Sequence, residues 1–428
     1  MHITGIIAEY NPFHNGHQYQ LEQIRKNHPD TIIAAVMSGS FLQRGTAALL
    51  DKWTRAELAV KGGCDVVFEL PFAFACRSAQ DFARGGVQLL ARLGCINTLA
   101  FGAECPSLAT LQSLADAIDS AAVQEELHER INAGVSYATA LTELIAQAAG
   151  ADASLLHEPN NILAIEYLRA LKDFPGISPL LIPRAGAGYH NDDIAAPNAS
   201  ASAIRQLLYK AADAARIANG RLLAAQLTER DYAALRESLP SAVFANIRQL
   251  TAAQLPDHDR LLLPLQALML RTDNATLQEL AGINEGLENR LRNCLQTTTT
   301  YNELIYEAAT KRYPQSRIAR TLIHLLLGIK QTRINAIDES GPLYARVLAC
   351  SPRGRDLLRH IKKAETFPLI TKTSAYLTSP QRVQGLANLS PLQQQLALDT
   401  MATELRQLIT PQTNQKRNDF QQSPRFFG

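Results

Sequence analysis

The chain has 428 residues, of which 46% are hydrophobic and 19% charged, and its formal net charge is +2. This composition predicts a globular protein of two or three domains, in which any surface for nucleic acid must be local. The six cysteines form no C-x-x-C pair, which argues against a zinc site. No signal segment or membrane-length apolar run is seen, so we expect a cytoplasmic protein.

Short apolar runs alternate with helical patterns in the first half of the chain. The runs predict strands over Ile3–Ala8, Thr31–Met37, Asp65–Leu70, Thr98–Phe101 and Leu180–Ile182. Helices are predicted between them over Gln18–Asn27, Asp51–Lys61, Ala79–Leu93 and Leu108–Asp119. This alternation indicates an α/β fold with a parallel sheet and helices on both faces, in which ligands bind beyond the carboxyl ends of the strands.

The second half of the chain has helical patterns and no convincing strand. Examples are Asp259–Arg271, Leu287–Leu295 and Ile318–Ile329. We therefore predict an α/β domain over residues 1–210, followed by an all-helical region over 211–409. The residues from 410 to 428 are rich in Gln, Asn and Pro and are predicted to form a flexible tail.

Two histidines lie in a turn between the first predicted strand and the first predicted helix, within Asn11-Pro12-Phe13-His14-Asn15-Gly16-His17. The start of a helix offers free N–H groups and the positive end of a dipole, which suits phosphate. Gly16 allows close approach, and both imidazoles add hydrogen-bond donors. The turn predicts a nucleotide site; the alternative is a loop with two surface histidines.

Two further segments are candidates for binding anions. In the segment from residue 198 to Arg205, Ser200 or Ser202 would cap a helix, and Arg205 lies in its first turns. The alternative there is an ordinary cap with a surface arginine. The loop Ser38-Gly39-Ser40 after the second strand is a candidate for holding acetate or a base edge, the alternative being a simple flexible connection.

A basic cluster lies in the helical half, at Lys311, Arg312, Arg317 and Arg320, with Tyr313 among them. The cations would neutralise RNA phosphates while Tyr313 stacks on a base. The alternative is the solvated start of a helix.

At these residues the chain resembles the bacterial tRNA(Met) cytidine acetate ligases of the HxGH nucleotidyltransferase superfamily. The similarity runs almost from end to end. The matching segments include GIIAEYNPFHNGH at 5–17, SGSFLQRG at 38–45, DKWTRAELA at 51–59, PNNILAIEYLRAL at 159–171, SASAIR at 200–205 and KRYPQSRIARTLIHLLL at 311–327. The resemblance implies a Rossmann-like HxGH domain that makes acetyl-adenylate from ATP and acetate. The acetyl group then passes to N4 of the wobble cytidine of elongator tRNA(Met).

The resemblance also implies which residues contact ATP. Apart from one continuous segment, they are Gly102, Asn161 and Arg184. The segment consists of Ile7, Ala8, Glu9, Tyr10, Asn11, Pro12, Phe13, His14, Asn15, Gly16, His17, Gln18, Tyr19 and Gln20. Two positions depart from the family pattern, which often has His in place of Gln20 and Gly in place of Ala164.

The expected chemistry agrees with these residues. Acetate is ionised at neutral pH, so its attack on the α-phosphorus needs positioning and neutralisation of charge and no general base. His14, His17, Ser202 and Arg205 would supply these, with His14 and His17 as the catalytic pair. Mg²⁺ is expected on the ATP phosphates, held by substrate and water and by no protein ligand. The base for the second step is unassigned.

Two other functions are compatible with the same turn. One is adenylylation of a small molecule, and the other is RNA binding without catalysis by a vestigial nucleotide fold. The long helical half favours a macromolecular substrate. We expect no membrane association and no obligate protein partner.

Overall fold

A mixed β-sheet runs through the centre of the protein. The computed structural model describes residues 1–133, 135, 137–149, 153–184, 200–217, 222–365, 367–411 and 418–427. The strand order is β5-β4-β1-β2-β3-β6-β7, with β8 also paired to β6. The strands are β1 (Ile3–Ala8), β2 (Ile32–Ser38), β3 (Val66–Leu70), β4 (Thr98–Ala103), β5 (Ser178–Pro183), β6 (Ala345–Cys350), β7 (Leu369–Ile370) and β8 (Arg425–Phe426).

Helices precede, follow and connect these strands. Those in the first half are α1 (Asn15–Asn27), α2 (Lys52–Lys61), α3 (Phe72–Ala75), α4 (Ala79–Arg92), α5 (Leu108–Ile118), α6 (Ala121–Asn132), α7 (Tyr137–Ala149), α8 (Pro159–Leu171) and α9 (Ala201–Ile217). Those in the second half are α10 (Glu229–Ser238), α11 (Ser241–Ile247), α12 (Leu262–Arg271), α13 (Asn274–Gln278), α14 (Leu287–Thr297), α15 (Tyr301–Ala308), α16 (Gln315–Leu326), α17 (Gln331–Ser340), α18 (Pro352–Ala364), α19 (Ser379–Val383) and α20 (Pro391–Leu408). In the described part of the chain, no helix combines the length and apolar character needed to cross a membrane.

The first five strands confirm the predicted parallel sheet. β1 pairs in parallel with β2 on one side and with β4 on the other, while β2 pairs with β3 and β4 with β5. Every residue of β2 is buried, as expected for a central strand covered on both faces. The order reverses between β1 and β4, so a ligand crevice is expected beyond their carboxyl ends.

The prediction of an all-helical second half is wrong at β6. This strand pairs antiparallel with β3, so the sheet crosses the boundary predicted at residue 210. All six residues of β6 are buried, including the charged Arg346. A charge at the second position shortens the apolar run to the four residues 347–350, which weakens the signal by which a short buried strand is recognised.

The prediction of a flexible tail is also wrong for the described residues near the C-terminus. β8 pairs with β6, and Asp419 is 1% exposed. Residues 412–417 of the predicted tail lie outside the described residues. The C-terminal residues are held because they complete a buried ionic cluster, described next.

Two cations and two carboxylates, Lys52, Arg346, Glu69 and Asp419, form a buried ion quartet beside β3. The Lys52 ammonium lies 2.7 Å from Glu69 and 2.6 Å from Asp419. Arg346 also contacts both carboxylates, and its Nη1 lies 3.1 Å from Oε2 of Glu69. Burial opposes ionisation of Asp419, but the charges of Arg346 and Lys52 outweigh it and lower the pKa of its carboxyl group. The quartet joins α2, β3, β6 and the C-terminal segment.

We predict that Asp419→Ala strongly destabilises the protein, because it leaves Lys52 and Arg346 buried with one counter-charge between them. Breaking a buried ion pair in this way costs about 3–5 kcal/mol. Urea unfolding measures the loss. The control is Asp356→Ala, which removes an exposed pair with Arg359 on α18 and should cost less than about 1 kcal/mol. Equal, small losses in the two variants would contradict the structural role of the quartet.

Candidate active site

Two histidine side chains cap the first helix. His14 is the N-cap of α1, and its Nδ1 accepts a hydrogen bond from the Gly16 N–H at 3.0 Å. The Nδ1 atom of His17 accepts in turn from the His14 N–H at 3.2 Å. A Cβ atom on residue 16 would lie 2.8 Å from Cε1 of His14, so the first bond requires glycine there. The turn is a capping box built from imidazoles.

These caps determine where the imidazole protons lie. Because Nδ1 of each ring accepts a hydrogen bond, each neutral ring carries its proton on Nε2. Burial and the nearby charges of Arg184 and Arg205 lower the pKa of His14 to about 3. Burial, His14 and Arg184 lower the pKa of His17 well below its ordinary value. Without ligand, the turn therefore holds two neutral Nε2–H donors at the start of a helix.

The start of α9 brings Arg205 to this turn. Its guanidinium donates to the Asn11 carbonyl at 2.8 Å and to Oγ of Ser202 at 3.0 Å. The helix is capped by Ser200, whose Oγ accepts from the Ala203 N–H at 3.1 Å. Of the two serines considered from the sequence, Ser200 caps and Ser202 orients the arginine. Residues 198 and 199 of that segment lie outside the described residues.

Arg184 approaches from the neighbouring strands. It directly follows β5, and its backbone N–H donates to the Ala103 carbonyl at 3.2 Å. A Cβ atom on Gly102, in β4, would lie 3.6 Å from Cγ of Arg184. The arginine is exposed, and its charge acts on both histidines. The structure thus brings together His14, His17, Gly102, Arg184 and Arg205 at the carboxyl ends of β1, β4 and β5.

Several residues of the segment Ile7–Gln20 build the turn. Tyr10 and Phe13 are each 1% exposed, and their ring centroids lie 4.9 Å and 5.4 Å from that of His17. Tyr10 has a φ of 47°, a conformation that is unfavourable for a bulky residue and that clusters at functional sites. Oδ1 of Asn11 accepts from the Leu49 N–H at 2.8 Å. Their contacts with ATP stay a prediction, as do those of the rest of the segment.

Asn161 has a positioning role in this structure. It is fully buried, and its Oδ1 accepts from the Cys105 N–H at 2.8 Å while its Nδ2 donates to the Leu155 carbonyl at 3.1 Å. Its own N–H donates to Glu104 at 3.0 Å. These bonds tie the start of α8 to the turn after β4. The ATP contact implied for Asn161 by family resemblance stays a prediction.

The loop Ser38-Gly39-Ser40 is buried, which argues against the alternative of a simple flexible connection. Ser38 and Ser40 are 0% and 4% exposed, and Oγ of Ser40 lies 3.1 Å from Oγ1 of Thr403 in α20. Arg55, a residue that the sequence analysis missed, donates to the carbonyl groups of Ser38 and Gly39. Contact of this loop with acetate or a base stays a prediction.

The basic cluster of the helical half divides into two kinds of residue. Lys311 and Arg312 are exposed, Arg312 pairing with Glu285 at 2.6 Å, and Arg317 lies 4.5 Å above the Tyr313 ring. Tyr313 is 7% exposed, and its hydroxyl donates to Oδ1 of Asn284 at 2.7 Å. The expectation that Tyr313 stacks on a base is therefore wrong in this conformation.

Arg320, on α16, contacts the nucleotide-binding half of the chain. Its Nη1 donates to the Gln43 carbonyl at 3.2 Å. The Gln43 N–H donates in turn to Oε1 of Glu9 at 2.8 Å, in the segment that carries the histidine turn. Arg320 thus differs from the exposed cations of the cluster, because it joins α16 to the edge of the sheet where the candidate site lies.

Comparison with known proteins places this chain in a known family. The parallel sheet and the histidine turn define a HIGH nucleotidyl transferase, and residues 1–422 match the family described as "HIGH Nucleotidyl Transferase". The tRNA(Met) cytidine acetate ligase of Syntrophomonas wolfei is 36% identical over 99% of both chains. That of Syntrophotalea carbinolica is 38% identical over 90% of this chain and 88% of the relative. The chain belongs to the family of tRNA(Met) cytidine acetate ligases.

Solved structures agree with this assignment. The crystal structure of Thermotoga maritima TmcAL in its apo form matches with a TM-score of 0.83 and 28% identity over the whole of both chains. A second structure of that protein, bound with alpha-thio ATP, matches with the same score, identity and coverage. The fold expected from the sequence, a Rossmann-like HxGH domain, is thereby confirmed.

We predict that His14→Asn and His17→Gln each slow acetate-dependent ATP–pyrophosphate exchange by about a hundredfold or more, the effect of losing one donor to a transition-state oxyanion. Asn is a good N-cap and Gln is the usual capping-box partner, so both variants keep the helix start. Exchange of labelled pyrophosphate measures the first step, and circular dichroism verifies the fold. Near-normal exchange in a folded variant would refute the catalytic role of that histidine.

Proposed function

We propose that the protein is an ATP-dependent ligase that forms N4-acetylcytidine at the wobble position of elongator tRNA(Met). It first makes acetyl-adenylate from acetate and ATP, and then transfers the acetyl group to the cytidine. The observation that carries this proposal is the pair of neutral, capped histidines beside Arg184 and Arg205, at the point where the strand order reverses. The relatives' names indicate the acyl group and the RNA.

In the first step an acetate oxygen attacks the α-phosphorus of ATP, and pyrophosphate leaves. Negative charge on the phosphate oxygens is stabilised by the Nε2–H groups of His14 and His17, by the start of α1, and by Arg184 and Arg205. Among the described residues, no three His, Cys, Asp or Glu side chains form a cluster suited to a metal ion. We propose that Mg²⁺ is held by the ATP phosphates and water, where it neutralises their charge.

In the second step the exocyclic amine of cytidine attacks the acetyl carbon, and AMP leaves. The helical half binds the tRNA, since Lys311, Arg312 and Arg317 form a basic surface reached from solvent. Lys and Arg at such a surface neutralise backbone phosphates. We place the reaction in the cytoplasm, where tRNA is found.

The function is tested by incubating the protein with bulk tRNA, ATP and labelled acetate, and analysing the nucleosides by mass spectrometry. We expect labelled N4-acetylcytidine in tRNA(Met), and pyrophosphate exchange that depends on acetate. Exchange with a phosphate-bearing small molecule in place of acetate would indicate a small-molecule adenylyltransferase. RNA binding without any exchange would indicate a non-catalytic protein.

We predict that replacing Lys311, Arg312 and Arg317 together by Gln weakens tRNA binding and flattens its salt dependence. With fewer phosphate contacts, binding releases fewer counterions from the RNA. Acetate-dependent exchange should persist. A filter-binding titration at several salt concentrations measures the effect.

The control for this triple variant replaces Arg359, Lys362 and Lys363 of α18 by Gln, which changes the net charge equally. Equal weakening in both variants would show that only the overall charge matters. Arg320→Gln is assayed by itself, since its contact with Gln43 is expected to affect both steps.

A further inference from the structure

Three carboxylates lie at or near the carboxyl ends of the parallel strands, and two of them have both oxygens engaged. Glu69 is held by Lys52 and Arg346 within the ion quartet. Glu104 accepts from Nδ2 of Asn160 at 2.5 Å and from the Asn161 N–H at 3.0 Å. In Glu9, Oε1 accepts from the Gln43 N–H, and no described residue donates to Oε2.

Glu9 is held in place although one of its oxygens has no protein partner in the described structure. It directly follows β1, the strand at the reversal of the sheet order, and its backbone carbonyl accepts from Arg55. The pKa of Tyr167 is raised first by burial and second by the negative charge of Glu9. The carboxylate is therefore near α8, and it is only half-buried. A ligand can donate a hydrogen bond to Oε2 without breaking a protein contact given for the described residues.

Hydrogen bonds connect Glu9 to the helical half through Gln43. Gln43, its hydrogen-bond partner, also contacts Arg320 and donates through Nε2 to the Arg77 carbonyl at 3.1 Å. Arg77 and Arg320 line a cavity of about 550 Å³ whose walls come from both halves of the chain. That volume lies within the range of small-molecule sites, so it can admit a nucleoside-sized group. Gln43 alone thus separates Glu9 from Arg77 and Arg320, in the wall of a cavity that the helical half helps to form.

A carboxylate here opposes the first step of the reaction. ATP and acetate are both anions, and a negative charge at the end of β1 repels them. A role for the carboxylate is therefore sought in the second step, in which the cytidine of the tRNA also takes part. Attack by the cytidine amine offers such a role, because the nitrogen must lose a proton as its bond to carbon forms.

We propose that Glu9 is the general base of acetyl transfer, an inference that depends on the proposed function. The N4 lone pair forms a bond to the acetyl carbonyl carbon, and the carbonyl π electrons move to oxygen. When the carbonyl re-forms, the bond from that carbon to the phosphate oxygen breaks, and AMP leaves with its electron pair. The N4 proton passes to Oε2 of Glu9 and from there to water. The neutral amide remains on the cytidine.

The test supplies chemically prepared acetyl-adenylate with tRNA(Met), so that the first step is bypassed. General base catalysis contributes about 10²- to 10⁴-fold, and Glu9→Gln should slow transfer by about a hundredfold or more at saturating concentrations of both substrates. Gln keeps an oxygen that can accept from the Gln43 N–H. The residual rate should rise with pH, because hydroxide then takes the proton, whereas a merely structural defect would not give this dependence.

The control is Glu57→Gln, which makes the same chemical change in a carboxylate on α2 that pairs with Lys61 and should leave transfer unchanged. If Glu9→Gln transfers at the wild-type rate from supplied acetyl-adenylate, the proposal is overturned, and a role for Glu9 confined to the first step, such as holding Mg²⁺, is indicated. If the wild-type protein itself fails to acetylate tRNA from acetyl-adenylate, the proposed function fails instead.

Discussion

The two imidazole caps at the start of α1 are the constraint on which the site depends. A helix start has unpaired N–H groups, and here the side chains of His14 and His17 accept from two such groups through Nδ1. Because that nitrogen is occupied, each Nε2–H is left for the ligand, and no other neutral tautomer keeps the caps. The donors therefore exist in their reactive form only when the helix is formed. The hydrogen bonds that cap α1 therefore also orient the two imidazoles of the candidate site.

Buried cations hold the neighbouring strand ends in place around this turn. Arg55 donates to carbonyl groups at the ends of β1 and β2. Lys52, one helical turn away, enters the ion quartet with Arg346 and Asp419. Charges this deep are tolerated only when they are fully paired. The edge of the sheet that carries the site therefore depends on residues from the far end of the chain.

The first five strands could be predicted from the sequence, because each is a short apolar run followed by a helical pattern. The sequence was also sufficient for the histidine turn, whose neighbours in sequence are its neighbours in space. It was insufficient for β6, since Arg346 interrupts the apolar run and its partners lie far away in the chain. The buried roles of Lys52 and Arg55 could not be predicted for a related reason. Helical periodicity shows which face a residue occupies, but the acceptors that make a buried cation stable come from other segments.

The contact between Arg320 and Gln43 joins the two halves of the chain. Gly45, in the same loop, has a φ of +82°, and a Cβ atom there would lie 2.5 Å from the Arg320 backbone nitrogen. Packing this close leaves no room for α16 to slide over the loop. Gln43 connects α16 to the Glu9 carboxylate, because its carbonyl accepts from Arg320 and its N–H donates to Glu9. The helical half and the strand end that carries Glu9 therefore share one continuous set of packed and hydrogen-bonded contacts.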